Sequence, residues 1–288
     1  MGNRWVLGSR PRTLPASAVP VVVGTAAASA GGHVVWWRAV AALIVAVAIQ
    51  VATNYANDYS DGIRGTDDAR VGPVRLVASG LAAPGAVKRA AMLAFGIAGV
   101  AGVALAAAAG WWLIAVGVAC FAAGWLYTGG PRPYGYAGLG EVFVFVFFGL
   151  VATVGSAYVS LGQITALAVV AAVPVGLLSV ALLVVNNLRD IGGDEVAGKR
   201  TLAVRIGPTA TRRLYAGCLG GAYAFVLLAA ATGGSAWILL PLISLPLAVP
   251  PARRVLAAQS GKDLIEVLGA TGRLVLVSGA LLAAGLFA

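Results

Sequence analysis

The sequence predicts an all-α membrane protein, with about nine transmembrane helices in a single bundle spanning residues 1–288, and three observations carry that reading. With 60% hydrophobic and only 10% charged residues, and a mean hydropathy of +0.92, the chain has too little polar surface for a soluble domain. Apolar runs of about 20 residues, the length that crosses a bilayer, recur along it. The charges fall on alternate loops. With the N-terminus inside, every one of the 20 Lys and Arg except Arg38 and Arg273 lies on the inner face, as the positive-inside rule requires. All ten acids fall there too. One face carries the chemistry and the other closes turns.

The elements follow in order. Arg4, Arg10 and Arg12 precede an apolar run at 14–30. A basic start before an apolar stretch also describes a secretory signal. Here Pro15 and Pro20 would break a short signal helix and similar spans follow, so the run is read as the first membrane helix, with Arg10 and Arg12 at its cytoplasmic mouth. Further runs lie at 39–57, 89–109, 111–128, 140–160, 164–187, 212–232, 235–252 and 265–287. The second and third of these are separated only by Gly110 and the Trp111-Trp112 pair. Outer loops at 31–38, 160–163 and 232–235 are short and nearly uncharged. Two inner loops are long and basic, one carrying Arg64, Arg70, Arg75, Lys88 and Arg89, the other Lys199, Arg200, Arg205, Arg212 and Arg213.

Ahead of each basic loop stands a cluster of amides and carboxylates. Asn54, Asn57, Asp58 and Asp61 are three or four residues apart and share one face of a helix; Asp67 and Asp68 follow. Asn186, Asn187, Asp190 and Asp194 repeat the pattern after another apolar run. Either cluster alone would pass for solvated residues at a helix end. Two of them, each behind a membrane-length segment, point to function, because charge near the bilayer is expensive. Oxygen-rich faces suit a hard divalent cation, and Mg²⁺ is usually held by a few carboxylates plus substrate phosphates. The expected ligand is therefore a diphosphate, with Arg and Lys from the basic loops binding its oxygens. The positive-inside rule alone would explain many of those cations.

The remaining features sort quickly. The inner loop YTGGPRPYGYAGLGE, 127–141, is suited to lining a cavity, with Tyr127, Tyr134 and Tyr136 around Arg132. The next helix opens EVFVFVFFGLV, whose Phe143, Phe145, Phe147 and Phe148 could wall an isoprenoid channel; lipid-facing aromatics and an interfacial belt are the competing assignments. Cys120 and Cys218 lie in apolar runs and read as small packing residues. His33 stands alone in a Gly-rich loop, which argues against histidine catalysis and a zinc site. The net charge of +10 is matched by anionic headgroups and a diphosphate, not by nucleic acid, which would need a soluble basic surface.

NDYSD at 57–61, GPVRLVASG at 72–80, YTGGPRPYGYAGLGE at 127–141 and NNLRDIGGDEVAGKRTLAVRIG at 186–207 together resemble the UbiA-type intramembrane prenyltransferases. Within them the closest likeness is to the bacterial 1,4-dihydroxy-2-naphthoate polyprenyltransferases of menaquinone synthesis. The resemblance implies a nine-helix bundle in the bacterial cell membrane, a polyprenyl diphosphate donor, a 1,4-dihydroxy-2-naphthoate acceptor and Mg²⁺, two ions bridging the clusters. Asp58, Asp61, Asp190 and Asp194 would be catalytic. The metal ligands would come from these and from Asn54, Asn57, Asp67, Asn186 and Asn187. Arg12, Arg64, Arg75, Arg132 and Lys199 would bind diphosphate, and Tyr127, Tyr134, Phe145 and Phe148 would line the acceptor and prenyl pocket. The first motif departs from the family pattern, which has a carboxylate where this chain has Gly65, leaving Asp67 or Asp68 to reach the metals.

Three other functions compete. A divalent-cation transporter should carry polar residues through its midplane, and these spans are nearly bare of them. A CDP-alcohol phosphotransferase has one Asp-rich motif with different spacing. A prenyltransferase acting on 4-hydroxybenzoate or a tetrapyrrole differs only in acceptor.

Overall fold

A computed structural model describes residues 3–65, 75–257 and 263–288, apart from the side chain of Arg12. Among these residues helices are the only regular secondary structure, joined by turns and short irregular segments. Seven helices are long and apolar enough to cross a membrane: Trp36–Arg64, Pro84–Ala109, Gly140–Leu161, Ala166–Val196, Leu202–Gly233, Ala236–Leu256 and Asp263–Phe287. Two shorter apolar helices, Leu14–Ala30 and Leu113–Leu126, lie among them. Every expected apolar run falls on one of these helices. The long ones outrun the apolar text, so the polar residues after Ala56 and after Val185 are still helical.

The Leu14–Ala30 helix packs against four others: Trp36–Arg64, Gly140–Leu161, Ala166–Val196 and Asp263–Phe287. Small residues allow these approaches, since helices in lipid gain by close contact of their backbones rather than by hydrophobic exclusion. A Cβ on Gly24 would stand 2.1 Å from the Thr153 carbonyl oxygen, and one on Gly279 would meet Val19 Cγ1 at 2.2 Å. The apolar core follows, with Val23, Val184, Leu274 and Leu282 almost wholly shielded, while Leu93, Val100, Val118 and Ile243 face outward.

Two irregularities shape the interior. Residues Phe145–Val151 form a π-helix, a wide turn inside the Gly140–Leu161 span. There Gly149 lies against Gly176 of the neighbouring helix, and Phe145 covers Gly176. The Leu202–Gly233 helix is broken near its start, where Gly207 has φ 75° before Pro208. Neither break was expected from the apolar pattern, which registers length and not hydrogen-bond register.

Candidate diphosphate and metal site

The polar ends of the Trp36–Arg64 and Ala166–Val196 helices meet on the loop at 127–139. Each end is shaped by its cap. Gly65, with φ 68°, closes the first helix in the left-handed conformation, its N–H reaching the Asp61 and Gly62 carbonyls. Gly65, where the resemblance led to the expectation of a carboxylate, is thus the residue that stops the helix, a place glycine fills without strain. The second helix ends in a Schellman turn: Gly198, at φ 71°, donates to the Glu195 carbonyl and Lys199 N–H to the Asp194 carbonyl at 2.8 Å. That reversal carries Lys199 back over the helix end.

Asp61 is the centre of the first wall. It is 2% exposed, accepts from the Tyr136 hydroxyl, and has Lys199 Nζ at 3.4 Å and an Arg75 terminal nitrogen at 3.7 Å. Lys199 also stands 4.9 Å above the Tyr136 ring, and Arg64 lies 5.7 Å from the same ring while donating to the carbonyls of Thr128 and Gly130. Asn57 Oδ1 accepts from the Thr128 hydroxyl at 2.8 Å. Two other members of this helix face point elsewhere. Asn54 donates to Ser9 O and Thr13 Oγ1 and accepts from Gln50, tying down the N-terminal segment. Asp58, fully buried, accepts from the backbone N–H groups of Leu76 and Val77.

The second wall draws partners from its own helix and from its neighbours. Arg189 grips Asp190 with two bonds of 2.7 Å and reaches Asn186 Oδ1 at 2.9 Å. Asn187 donates to Glu141 Oε1 at 2.9 Å, and both side chains are buried. Asp194 lies further out, with Thr201 Oγ1 at 3.5 Å. The loop joins the walls, since the Tyr136 carbonyl accepts from Arg200 N–H at 3.0 Å while its hydroxyl serves Asp61. The structure thus gathers Asn57, Asp61, Arg64, Arg75, Tyr136 and Lys199 on one side and Asn186, Asn187, Asp190 and Arg189 on the other. Asp67 lies outside the described residues, as does the Arg12 side chain. Arg132 is exposed on the shared loop.

Of the aromatics, Tyr127 and Tyr134 pack edge to face at 5.5 Å, and Tyr134 stacks on Phe143 at 3.9 Å. The Tyr134 hydroxyl donates to the Ala123 carbonyl at 2.8 Å, and burial, with Tyr127 alongside, pushes its pKa up. Phe145 is taken up by Gly176, and Phe148 is half-buried on the π-turn. Reasoning from sequence missed Tyr136 as the donor to Asp61, Arg189 as the partner of Asp190 and Glu141 as the partner of Asn187. The three-residue spacing of Asn186 and Arg189 was the one available signal.

Among the described residues no three His, Cys, Asp or Glu side chains converge on a metal position. The metal-ligating atoms present are oxygens: apart from Asp58, engaged by backbone N–H groups, and Glu141, engaged by Asn187, each wall offers a buried carboxylate, Asp61 or Asp190, with an amide side chain on the same helix. That set fits a hard cation arriving with its phosphate ligand, since Mg²⁺ commonly takes one or two protein carboxylates and completes its shell from phosphate and water.

The UbiA prenyltransferase family profile matches residues 17–285. The chain belongs to that family. It is 51% identical over 276 residues to the 1,4-dihydroxy-2-naphthoate octaprenyltransferase of Mycobacterium tuberculosis, covering 95% of this chain and 93% of that protein. The Mycobacterium leprae protein of the same name is 48% identical, covering 98% and 97%. A solved UbiA homolog from Archaeoglobus fulgidus, bound to GPP and Mg²⁺, superposes with a TM-score of 0.68 over 97% of this chain and 99% of that one; at 12% identity the likeness is one of fold.

Proposed function

We propose that the chain transfers a polyprenyl group from polyprenyl diphosphate to 1,4-dihydroxy-2-naphthoate, releasing diphosphate and, with loss of the acceptor's carboxylate, yielding demethylmenaquinone. The observation that carries the reading is the pair of buried carboxylates, Asp61 and Asp190, held on two walls that one loop joins. The acceptor assignment is supported by the family members at 48–51% identity, all named for that reaction. The protein is a multi-pass membrane protein, and a bacterial plasma membrane location with the N-terminus and both walls on the cytoplasmic side accords with its charge distribution.

Asn57 and Asp61 would hold divalent metal on the first wall and Asn186, Asn187, Asp190 and Asp194 on the second, with Mg²⁺, two ions in this reading, supplying charge neutralisation to the departing diphosphate. Arg75 and Lys199, already beside Asp61, are placed to take phosphate oxygens, Arg as a planar fork and Lys as a point charge. Arg64 orients Tyr136, and Tyr136 orients Asp61. Arg12 and Arg132 remain candidates for outer contacts to the diphosphate. The aromatic cluster of Tyr127, Tyr134 and Phe143, edge to face and then stacked, gives an aromatic wall running from the loop that carries Tyr136 into the following helix, suited to an aromatic acceptor and a prenyl chain, with Phe145 and Phe148 further along it. Excluding water there protects the allylic cation until the ring attacks.

A prenyl-transfer assay on detergent-purified protein decides the acceptor. Given a long polyprenyl diphosphate and Mg²⁺, 1,4-dihydroxy-2-naphthoate is expected to yield a lipid-soluble quinol. Turnover with 4-hydroxybenzoate instead would keep the chemistry and change the substrate.

A further inference from the structure

Asp58 has the look of a metal ligand by position, four residues after Asn54 and three before Asp61, yet its surroundings give it different work. Its side chain has no exposed surface, and its two oxygens accept separately from Leu76 N–H at 2.8 Å and Val77 N–H at 3.1 Å. Those amides follow Arg75 directly in the chain. Arg75 is the residue whose guanidinium stands 3.7 Å from Asp61.

The rest of the turn is built for this grip. Gly62, one helical turn beyond Asp58, lets Val77 approach so closely that a Cβ on the glycine would lie 2.4 Å from Val77 Cγ1. Leu76 is wholly buried, and a Cβ on Gly8 would come within 2.5 Å of it. Ser79 N–H returns to the Arg75 carbonyl at 2.9 Å and Ala82 N–H to the Leu76 carbonyl at 3.0 Å, so the turn closes on itself around the two clasped amides.

We propose that Asp58 is a positioning residue: its carboxylate clasps the 75–80 turn to the Trp36–Arg64 helix and so sets Arg75 beside Asp61 to receive the donor's diphosphate. The inference rests on the reading of Arg75 as a diphosphate ligand. The chemistry explains why an acid stands here. Two N–H donors need two acceptors, and only an ionised carboxylate offers an acceptor on both arms; an asparagine would turn an NH₂ group toward one of the amides. An anion without exposure is also unpaid for unless strongly hydrogen-bonded, so the turn and Asp58 hold each other.

The test is a double-mutant cycle read by binding of inorganic diphosphate, in the presence of Mg²⁺, to the full-length protein in detergent. D58N and R75Q are each expected to weaken binding about tenfold, the size of a lost charge-assisted hydrogen bond. On the R75Q background D58N should add less than about a twofold loss, because its effect runs through Arg75. Hydrogen exchange at Leu76 and Val77 should rise in D58N. Losses that multiply in the double variant would overturn the inference by giving Asp58 its own contact with metal or phosphate. R75Q binding like the wild type would overturn it together with the role of Arg75 beneath it. Should D58N fail to fold, Gly62→Ala displaces the same turn through Val77 and is expected to show the same loss, again absorbed by R75Q.

Discussion

The two helix ends carry nearly the same polar text and use it differently. At the end of Trp36–Arg64, the residues divide into those that build and one that is served. Asn54 anchors residues 9–13, Asp58 anchors 76–77, and Asp61 collects Tyr136, Lys199 and Arg75. At the end of Ala166–Val196, the carboxylate is paired within its own helix, by Arg189 one residue away, and the amide is set by Glu141 across the helix interface. A helix face fixes which residues stand together. What each of them does is decided by the segment packed against that face.

Breaking this comparison begins with the two carboxylates. Asp61→Asn and Asp190→Asn should each lower prenyl transfer about a thousandfold, the scale of losing a group that stabilises transition-state charge. A large loss for one and a small loss for the other, measured as kcat at saturating donor, would mean that the walls do not share the diphosphate.

Lys199→Met should be next in size. The side chain crosses from the second wall to Asp61, so its removal should raise the KM for donor on the order of tenfold to a hundredfold while the acceptor KM stays put. Steady-state kinetics with each substrate varied in turn checks this. Tyr136→Phe keeps the ring beneath Lys199 and removes only the hydroxyl bond to Asp61. The expected cost is about fivefold to tenfold in kcat/KM.

Asn54→Ala should have the smallest effect on catalysis. The loss of its bonds to Ser9 and Thr13 should lower stability by about 1–2 kcal/mol, seen as a lower thermal midpoint in detergent, with the Mg²⁺ requirement unchanged. A shifted Mg²⁺ requirement in this variant would return Asn54 to the metal-binding set.

Much of the architecture was legible in the sequence because lipid imposes a simple rule: every backbone group must be satisfied within a helix, so apolar runs of sufficient length become spans. The shared face of Asn54, Asn57, Asp58 and Asp61 was equally legible, since the helix continues to Arg64. The division of labour along it was not. Asp58 meets Leu76 and Val77, 18 and 19 residues further along the chain, and Asn54 meets Ser9 and Thr13 from the other end of a preceding helix; such partners have no local signature. Arg189 passed as one more inner-face cation because positive-inside charge masks a pairing cation. The π-turn at Phe145–Val151 was invisible for another reason, as its aromatic and aliphatic residues fit an ordinary span.

The central claim is that both walls act on one diphosphate through divalent metal. Equilibrium binding of inorganic diphosphate to the purified chain, with Mg²⁺ and again with EDTA, in wild type, Asp61→Asn and Asp190→Asn, tests it most directly. Binding that requires Mg²⁺ in the wild type and falls sharply in both variants is the predicted result; undiminished binding in Asp190→Asn, or binding indifferent to EDTA, would contradict it.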